Sequence, residues 1–175
     1  MGTRIGSHAL LLLVVLCMPA CSSVQAYPGA ERPDSEVAVI VPDNPRLRTL
    51  ANPLGAGPAA GGQIYVAVAG QRLGRTNDSF RVLPGTAPLQ VIFRDHQTPV
   101  TGLTLETKAV DFPVPVEAGR EYRIRGLPVY PPASSRITRT TDTTKYRVIL
   151  FAQETGTGRV VKQMEVPSDR IQLVP

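Results

Sequence analysis

Residues 110–124 read Val110-Asp111-Phe112-Pro113-Val114-Pro115-Val116-Glu117-Ala118-Gly119-Arg120-Glu121-Tyr122-Arg123-Ile124. Apolar side chains recur at every second position up to Val116, the period of a strand with one face in a core. Pro113 and Pro115 stand on the opposite parity and have no N–H to give to a ladder, so this run is an edge strand or an extended segment. Glu117-Ala118-Gly119 has the composition of a turn. Tyr122 and Ile124 then resume the alternation until a break at Gly126.

The same signal extends in both directions. Upstream, Ile64, Val66 and Val68 alternate before the turn Ala69-Gly70-Gln71, and Phe80 and Val82 flank Arg81 before Pro84-Gly85. Leu89, Val91 and Phe93 follow, then Leu103 and Leu105 after Gly102. A first strand is expected at Glu36–Val41, with Val37, Val39 and Val41 on one face. Downstream, Tyr146–Phe151 and Val160–Val166 flank Thr155-Gly156-Thr157-Gly158, a hairpin. Helical periodicity appears at no useful length beyond the N-terminal run. Short alternating runs bounded by Gly and Pro predict an all-β fold, an antiparallel β-sandwich of about seven or eight strands.

Composition narrows the function classes. The 175 residues carry 19 Lys+Arg against 14 Asp+Glu, one base fewer if Arg4 is removed with a leader. So mild a basic balance, without a concentrated stripe, argues against nucleic acid as a partner. Trp is absent, and any stacking platform for sugars must come from five Tyr and four Phe.

The N-terminus has the layout of an export signal. A short basic start with Arg4 precedes an apolar run from Ala9 to Met18, within the ~7–15 residues of a secretory signal core and short of the ~20 that span a bilayer. Two cleavage readings follow. Met18-Pro19-Ala20-Cys21 resembles the bacterial lipobox, which implies removal of residues 1–20 and lipid attachment at Cys21, although Met18 and Pro19 stand where that group prefers Leu and Ala or Ser. Val24-Gln25-Ala26 offers an ordinary small-residue site, which would release a soluble chain from Tyr27. Under either reading Cys17 is lost and no free thiol remains for catalysis or metal binding. Residues 21–34, rich in Ser, Pro and Gly, read as a flexible tether. The sandwich domain is then residues 35–175, with a Pro/Gly-rich loop at 42–62.

These residues carry a wider resemblance. Cys21 with Tyr27-Pro28-Gly29, Arg32-Pro33 and Glu36-Val37-Ala38-Val39-Ile40 resembles a group of small proteobacterial lipoproteins. Phe80-Arg81-Val82-Leu83-Pro84-Gly85 and Val116-Glu117-Ala118-Gly119-Arg120-Glu121-Tyr122 resemble that group's later strands, and the arrangement is similar to PEGA-type β-sandwich modules. The resemblance implies a lipoprotein with a sandwich domain and no particular activity. Ser22 after Cys21, in place of the Asp that retains enteric lipoproteins at the inner membrane, implies an outer-membrane anchor facing the periplasm.

Catalytic constellations are not apparent. Gly-x-Ser-x-Gly is missing, and a Ser-His-Asp site would depend on His96, whose neighbour Asp95 points to the other face of a strand. One mature His and no Cys argue against zinc, and no calcium-loop spacing occurs. Asn77-Asp78-Ser79 reads as a hairpin turn, and nothing among Glu106, Asp111, Glu117 and Glu121 favours a carboxylate hydrolase, which stays only as the weakest alternative. The expectation is therefore a protein without enzymatic activity or cofactor. Its candidate binding residues are Arg123, Arg125, Lys145 and Arg147, which share strand parity in Tyr122-Arg123-Ile124-Arg125 and Lys145-Tyr146-Arg147-Val148 and would meet if the two strands lie in one sheet. Such a patch suits an anionic envelope polymer, and the expected role is a non-catalytic binding module for an envelope polymer or an envelope protein; the alternative, a structural accessory subunit of an envelope assembly, would present an apolar face instead. Ser134–Thr144 reads as a polar, Thr-rich loop.

Overall fold

The alternating runs fold into two packed sheets. The computed structural model describes residues 23–43, 62–68, 70–72, 79–96, 102–131 and 142–175. Its strands are β1 (Ser23–Gln25), β2 (Ala38–Pro42), β3 (Gln63–Val68), β4 (Gln71–Arg72), β5 (Ser79–Val82), β6 (Gly85–Asp95), β7 (Thr104–Thr107), β8 (Val110–Val116), β9 (Glu121–Val129), β10 (Arg147–Glu154), β11 (Val160–Glu165) and β12 (Ile171–Val174). The first sheet has the order β1-β5-β2-β9-β10-β11, and the second β12-β7-β6-β3-β4 with β8 joined to β6. Cys21, most of the 42–62 loop, most of the Thr-rich loop and Asn77-Asp78 lie outside the described residues.

The fold class is as expected, with two corrections. Strands outnumber the expected seven or eight because β1, β4 and β12 are two to four residues long, too short for alternation to register. The first sheet is also mixed: β1 runs parallel to β5, and β2 parallel to β9.

Ile64, Val66, Val68, Leu89, Val91, Phe93, Phe112, Val114, Tyr122, Ile124, Val148 and Leu150 are all buried, the inward faces that the period-two pattern marks. At Glu36–Val41 the outcome differs. Ala38 and Ile40 face the core, while Val39 and Val41 are half-buried on the outside. Both parities of that run are apolar, so alternation alone does not choose a face.

Gly126 is no break, since β9 runs through it and pairs there with Leu150. A Cβ at this position would overlap the Phe93 ring and come within 3.0 Å of Ile64 Cδ1. The missing side chain is what lets the ring of one sheet lie against the backbone of the other. Phe93 is fixed from behind as well: β7 and β8 follow one another along the same edge of β6 with the register shifted between them. At the gap, the Phe93 N–H donates to the buried Thr107 hydroxyl at 3.0 Å.

β8 is an edge strand, paired only with β6 among the described residues. Pro113 faces Pro88 in the register. Neither has an N–H, so that is a non-hydrogen-bonded pair, and the missing donors of Pro113 and Pro115 fall on the free edge.

The register also sorts the ends of the sandwich. Ser23 is level with Ser79, Gln63 with Arg94, Thr104 with Val174, and Arg147 with Val129. With Gly126 against Phe93 and Ile64, these positions share one end, from which β2 leaves and β3 returns. The tight turns Leu83–Gly85, Glu117–Arg120 and Thr155–Arg159 occupy the other.

The segment expected to be a flexible tether is largely folded. β1 pairs with β5, and the Ala26 N–H continues the ladder to Arg81 O at 2.9 Å. The Gln25 side-chain amide donates to Tyr27 O at 2.9 Å and to Gly29 O at 2.8 Å. Tyr27 is buried, and its hydroxyl accepts from the Arg32 N–H at 3.1 Å. Arg81, itself buried, binds Glu31, the Arg32 carbonyl and, at 2.8 Å, Asp34. One cation from the sheet thus gathers a Ser/Pro/Gly-rich stretch whose own composition gives no cause to fold.

Candidate sheet-face binding site

β9 and β10 are adjacent and antiparallel, so Arg123, Arg125 and Arg147 do stand on one sheet face. Lys145 belongs instead to a single turn of 3-10 helix, Thr143–Lys145, that leads into β10. The rows across this outer face read Arg123 with Gln153, Arg125 with Phe151, Leu127 with Ile149, and Val129 with Arg147. An apolar row therefore separates Arg125 from Arg147. The structure brings Arg123 and Arg125 together and sets the other two apart.

Each cation also has a carboxylate beside it. Arg123 Nε lies 3.4 Å from Glu121, Lys145 Nζ 3.8 Å from Asp142, and Arg147 3.7 Å from Glu165. Arg125 Nε meets Asp43 at 2.8 Å, its guanidinium lies 5.6 Å from the centre of the Phe151 ring, and it reaches Gln153 at 3.4 Å. Asp43 is buried beneath it. Exposed pairs of this kind are worth about 0–1 kcal/mol, but they cancel the field that would draw in a polyanion.

Sequence reasoning missed the apolar part of the face. Leu127 is 42% exposed, Ile149, Phe151 and Val129 are half-buried around it, and Val41 is half-buried further along the face beside Arg123. Their signal was apolar residues on both parities of β2 and β10, which a search for charge parity passes over.

Asp142 caps the 3-10 turn. The Thr144 hydroxyl and then the Thr144 N–H donate to its carboxylate, and with Lys145 nearby they hold its pKa below the usual 3.8. A carboxyl whose pKa is lowered by folding stabilises the turn above pH 3.8, and that contribution is lost as pH falls through the lower folded value. Titration followed at the Thr144 amide by NMR is expected to show this transition, and Asp142→Asn is expected to abolish it.

The other sequence candidates are scattered. His96 Nδ1 lies 3.0 Å from the Thr104 hydroxyl, whereas Asp95 is buried and accepts from the Tyr130 hydroxyl. Asp95 points inward from the last position of β6, and His96, in the bend that follows, is exposed. Glu106 pairs with Arg94, Asp111 accepts from Gln90 at 3.2 Å, Glu117 lies 3.9 Å from Arg159, and Glu121 accepts from Thr155 at 2.8 Å. These carboxylates lie on different strands and turns of the two sheets. Among the described residues, no group of three or more His, Cys, Asp or Glu is placed to hold a metal ion. No helix among them is long and apolar enough to cross a membrane. Shallow hollows of about 170 and 450 Å³ line the outside of the second sheet, around Tyr65, Ile92 and Arg94 and around Leu89, Asp111 and Pro113.

No family model, curated protein or solved structure matches the chain.

Proposed function

We propose that this chain is a bacterial envelope lipoprotein, held by lipid on Cys21 to the outer membrane and acting in the periplasm as a binding module without chemistry of its own. The apolar run from Ala9 to Met18, followed by Pro19-Ala20-Cys21, supports the anchor. The partner is an envelope protein. What carries that choice over an anionic polymer is the row Leu127–Ile149 with Phe151, set between cations that already have carboxylates. An apolar centre with a charged, paired rim is the make-up of a protein–protein contact, whereas a polymer phosphate or carboxylate would have to displace Glu121, Asp43 or Glu165. This is also the face a structural accessory subunit would need, so that second reading gains from the same row.

Membrane fractionation and intact mass test the anchor. The native protein is expected in the membrane fraction as residues 21–175 plus acyl groups, with Cys21→Ala soluble. A soluble product beginning at Tyr27, unchanged by the substitution, would sink the lipoprotein reading. Cross-linking in cells and detergent extraction test the partner. A stoichiometric protein should be captured, and lost with Leu127→Asp but kept with Arg123→Ala plus Arg147→Ala. Salt-sensitive retention on an anionic envelope polymer, lost with the arginine pair and kept with Leu127→Asp, would restore the polymer.

A further inference from the structure

β8 and β11 lie along one flank of the sandwich, one from each sheet, and each is paired on a single side among the described residues. The flank is bounded by Gly85 and residues 109–117 and 159–170, all of them described. Its two margins differ in chemistry. Pro113 and Pro115 leave the free edge of β8 short of donors. β11 has no proline. The Val166 N–H donates to Val148 O at 2.8 Å, so the hydrogen-bonded pairs with β10 continue at Met164–Leu150 and Lys162–Ala152. The intervening Gln163 and Glu165 turn both N–H and C=O away from β10. That edge is open to one more strand.

The side chains of the seam between β8 and β11 restrict what such a strand can carry. Lys162 and Met164 share the face of Ala152 and Leu150, which is the inner one, and both are half-buried. Beside Met164 is a hollow of about 400 Å³, shared with Val110 and Pro167. Beyond Lys162, toward the Thr155–Arg159 turn, is one of about 330 Å³ lined by Val160, Val161, Pro115 and Val116. Between them Lys162 meets no carboxylate among the described residues, although Arg147 pairs with Glu165, and Arg159 with Glu117 and Glu154. An inward-facing charge at a sheet edge turns away strands that cannot answer it. A second copy of β11 is one of these. Directly opposite residues in an antiparallel pair share a face. The inner positions of this strand and its end are Lys162, Met164 and Val166, while Glu165 is on the outer face. No antiparallel self-pairing therefore sets an acid opposite Lys162.

We infer that β11 takes up an extended segment of a partner protein as an added strand of the first sheet. Alternate side chains of that segment reach the hollow at Met164, then Lys162, then the hollow at Val161. The segment is therefore apolar, acidic and apolar at every second position, with its Asp or Glu paired to Lys162. Neither the lipid anchor nor the Leu127 row is required for this contact.

The probe is the synthetic peptide Ser-Thr-Ile-Thr-Glu-Thr-Ile-Thr-Ser, titrated to about 1 mM into the isotope-labelled whole protein in detergent and followed by NMR. Saturable shifts are expected at the Gln163 and Glu165 amides, with their hydrogen exchange slowed at least about tenfold. A peptide with Gln in place of Glu is expected to bind about fivefold more weakly, and Lys162→Gln should make the two peptides equal. Methylation of the peptide's β11-facing backbone nitrogens should abolish binding without touching the protein. No saturable shift, equal binding of both peptides to the unmodified protein, or survival of binding after methylation would each overturn the proposal. So would Gln163 and Glu165 amides already protected without peptide. In a dimer the edge would then belong to a second copy, and in a monomer to another segment of this chain.

Discussion

Gly126→Val is expected to be strongly destabilising. The new side chain enters space held by the Phe93 ring and Ile64 Cδ1. Phe93 has little room to yield, because its N–H is tied to the Thr107 hydroxyl and its strand is paired on both sides. Overpacking a tight core costs about 1–3 kcal/mol per inserted group and sometimes more, so a loss near or above 3 kcal/mol is expected for a β-branched side chain. Chemical denaturation monitored by circular dichroism would measure it. Gly126→Ala combined with Phe93→Leu should recover stability relative to Gly126→Ala alone, since the shortened side chain vacates the volume a Cβ needs. Strict additivity of the two would refute close packing at this point.

The second large effect is expected at Arg81. Its guanidinium binds two carboxylates and a carbonyl, and it stands in the middle of β5 against the N-terminal segment. Hydrogen bonds to a charged group contribute about 1.5–3 kcal/mol each where solvent is excluded. Glu31 and Asp34 are largely exposed and regain water once released, so a total of about 2–3 kcal/mol is the reasonable expectation for Arg81→Ala. The loss should be local. Protease cleavage after Glu31 and Glu36 is expected to accelerate strongly, and amide exchange at Ala26 to rise, with the β9–β10 ladder unchanged. Unchanged cleavage would mean that β1 and Tyr27 hold the segment without the clamp.

What the sequence made legible follows the burial pattern. Where one parity is uniformly large and apolar and the other mixed, with small, polar or proline residues, as in 64–68, 89–93 and 110–116, alternation named the inward residues correctly. Where both parities are apolar, as in Val37–Val41, the face was left to tertiary packing, and the core took Ala38 and Ile40. The N-terminal segment shows the larger gap. Its composition reads as unstructured, yet it is ordered by one arginine about fifty positions away, a relation no local window contains. The candidate patch was half legible for a similar reason. Strand parity placed Arg123 and Arg125 on one face, but Asp43 and Glu165, which answer Arg125 and Arg147, come from strands and strand ends that only the topology brings near.

The prolines at the free edge of β8 bear on how densely such molecules can be packed. A population bound to a membrane, as proposed above for this chain, would meet its own copies at far higher local concentration than a dissolved one, and an open strand edge is the usual seed for sheet-to-sheet polymerisation. With Pro113 and Pro115 offering no donors along that margin, a neighbour's strand finds an incomplete ladder there. Restoring both donors with Thr would turn a crowding-tolerant surface into a template for fibres.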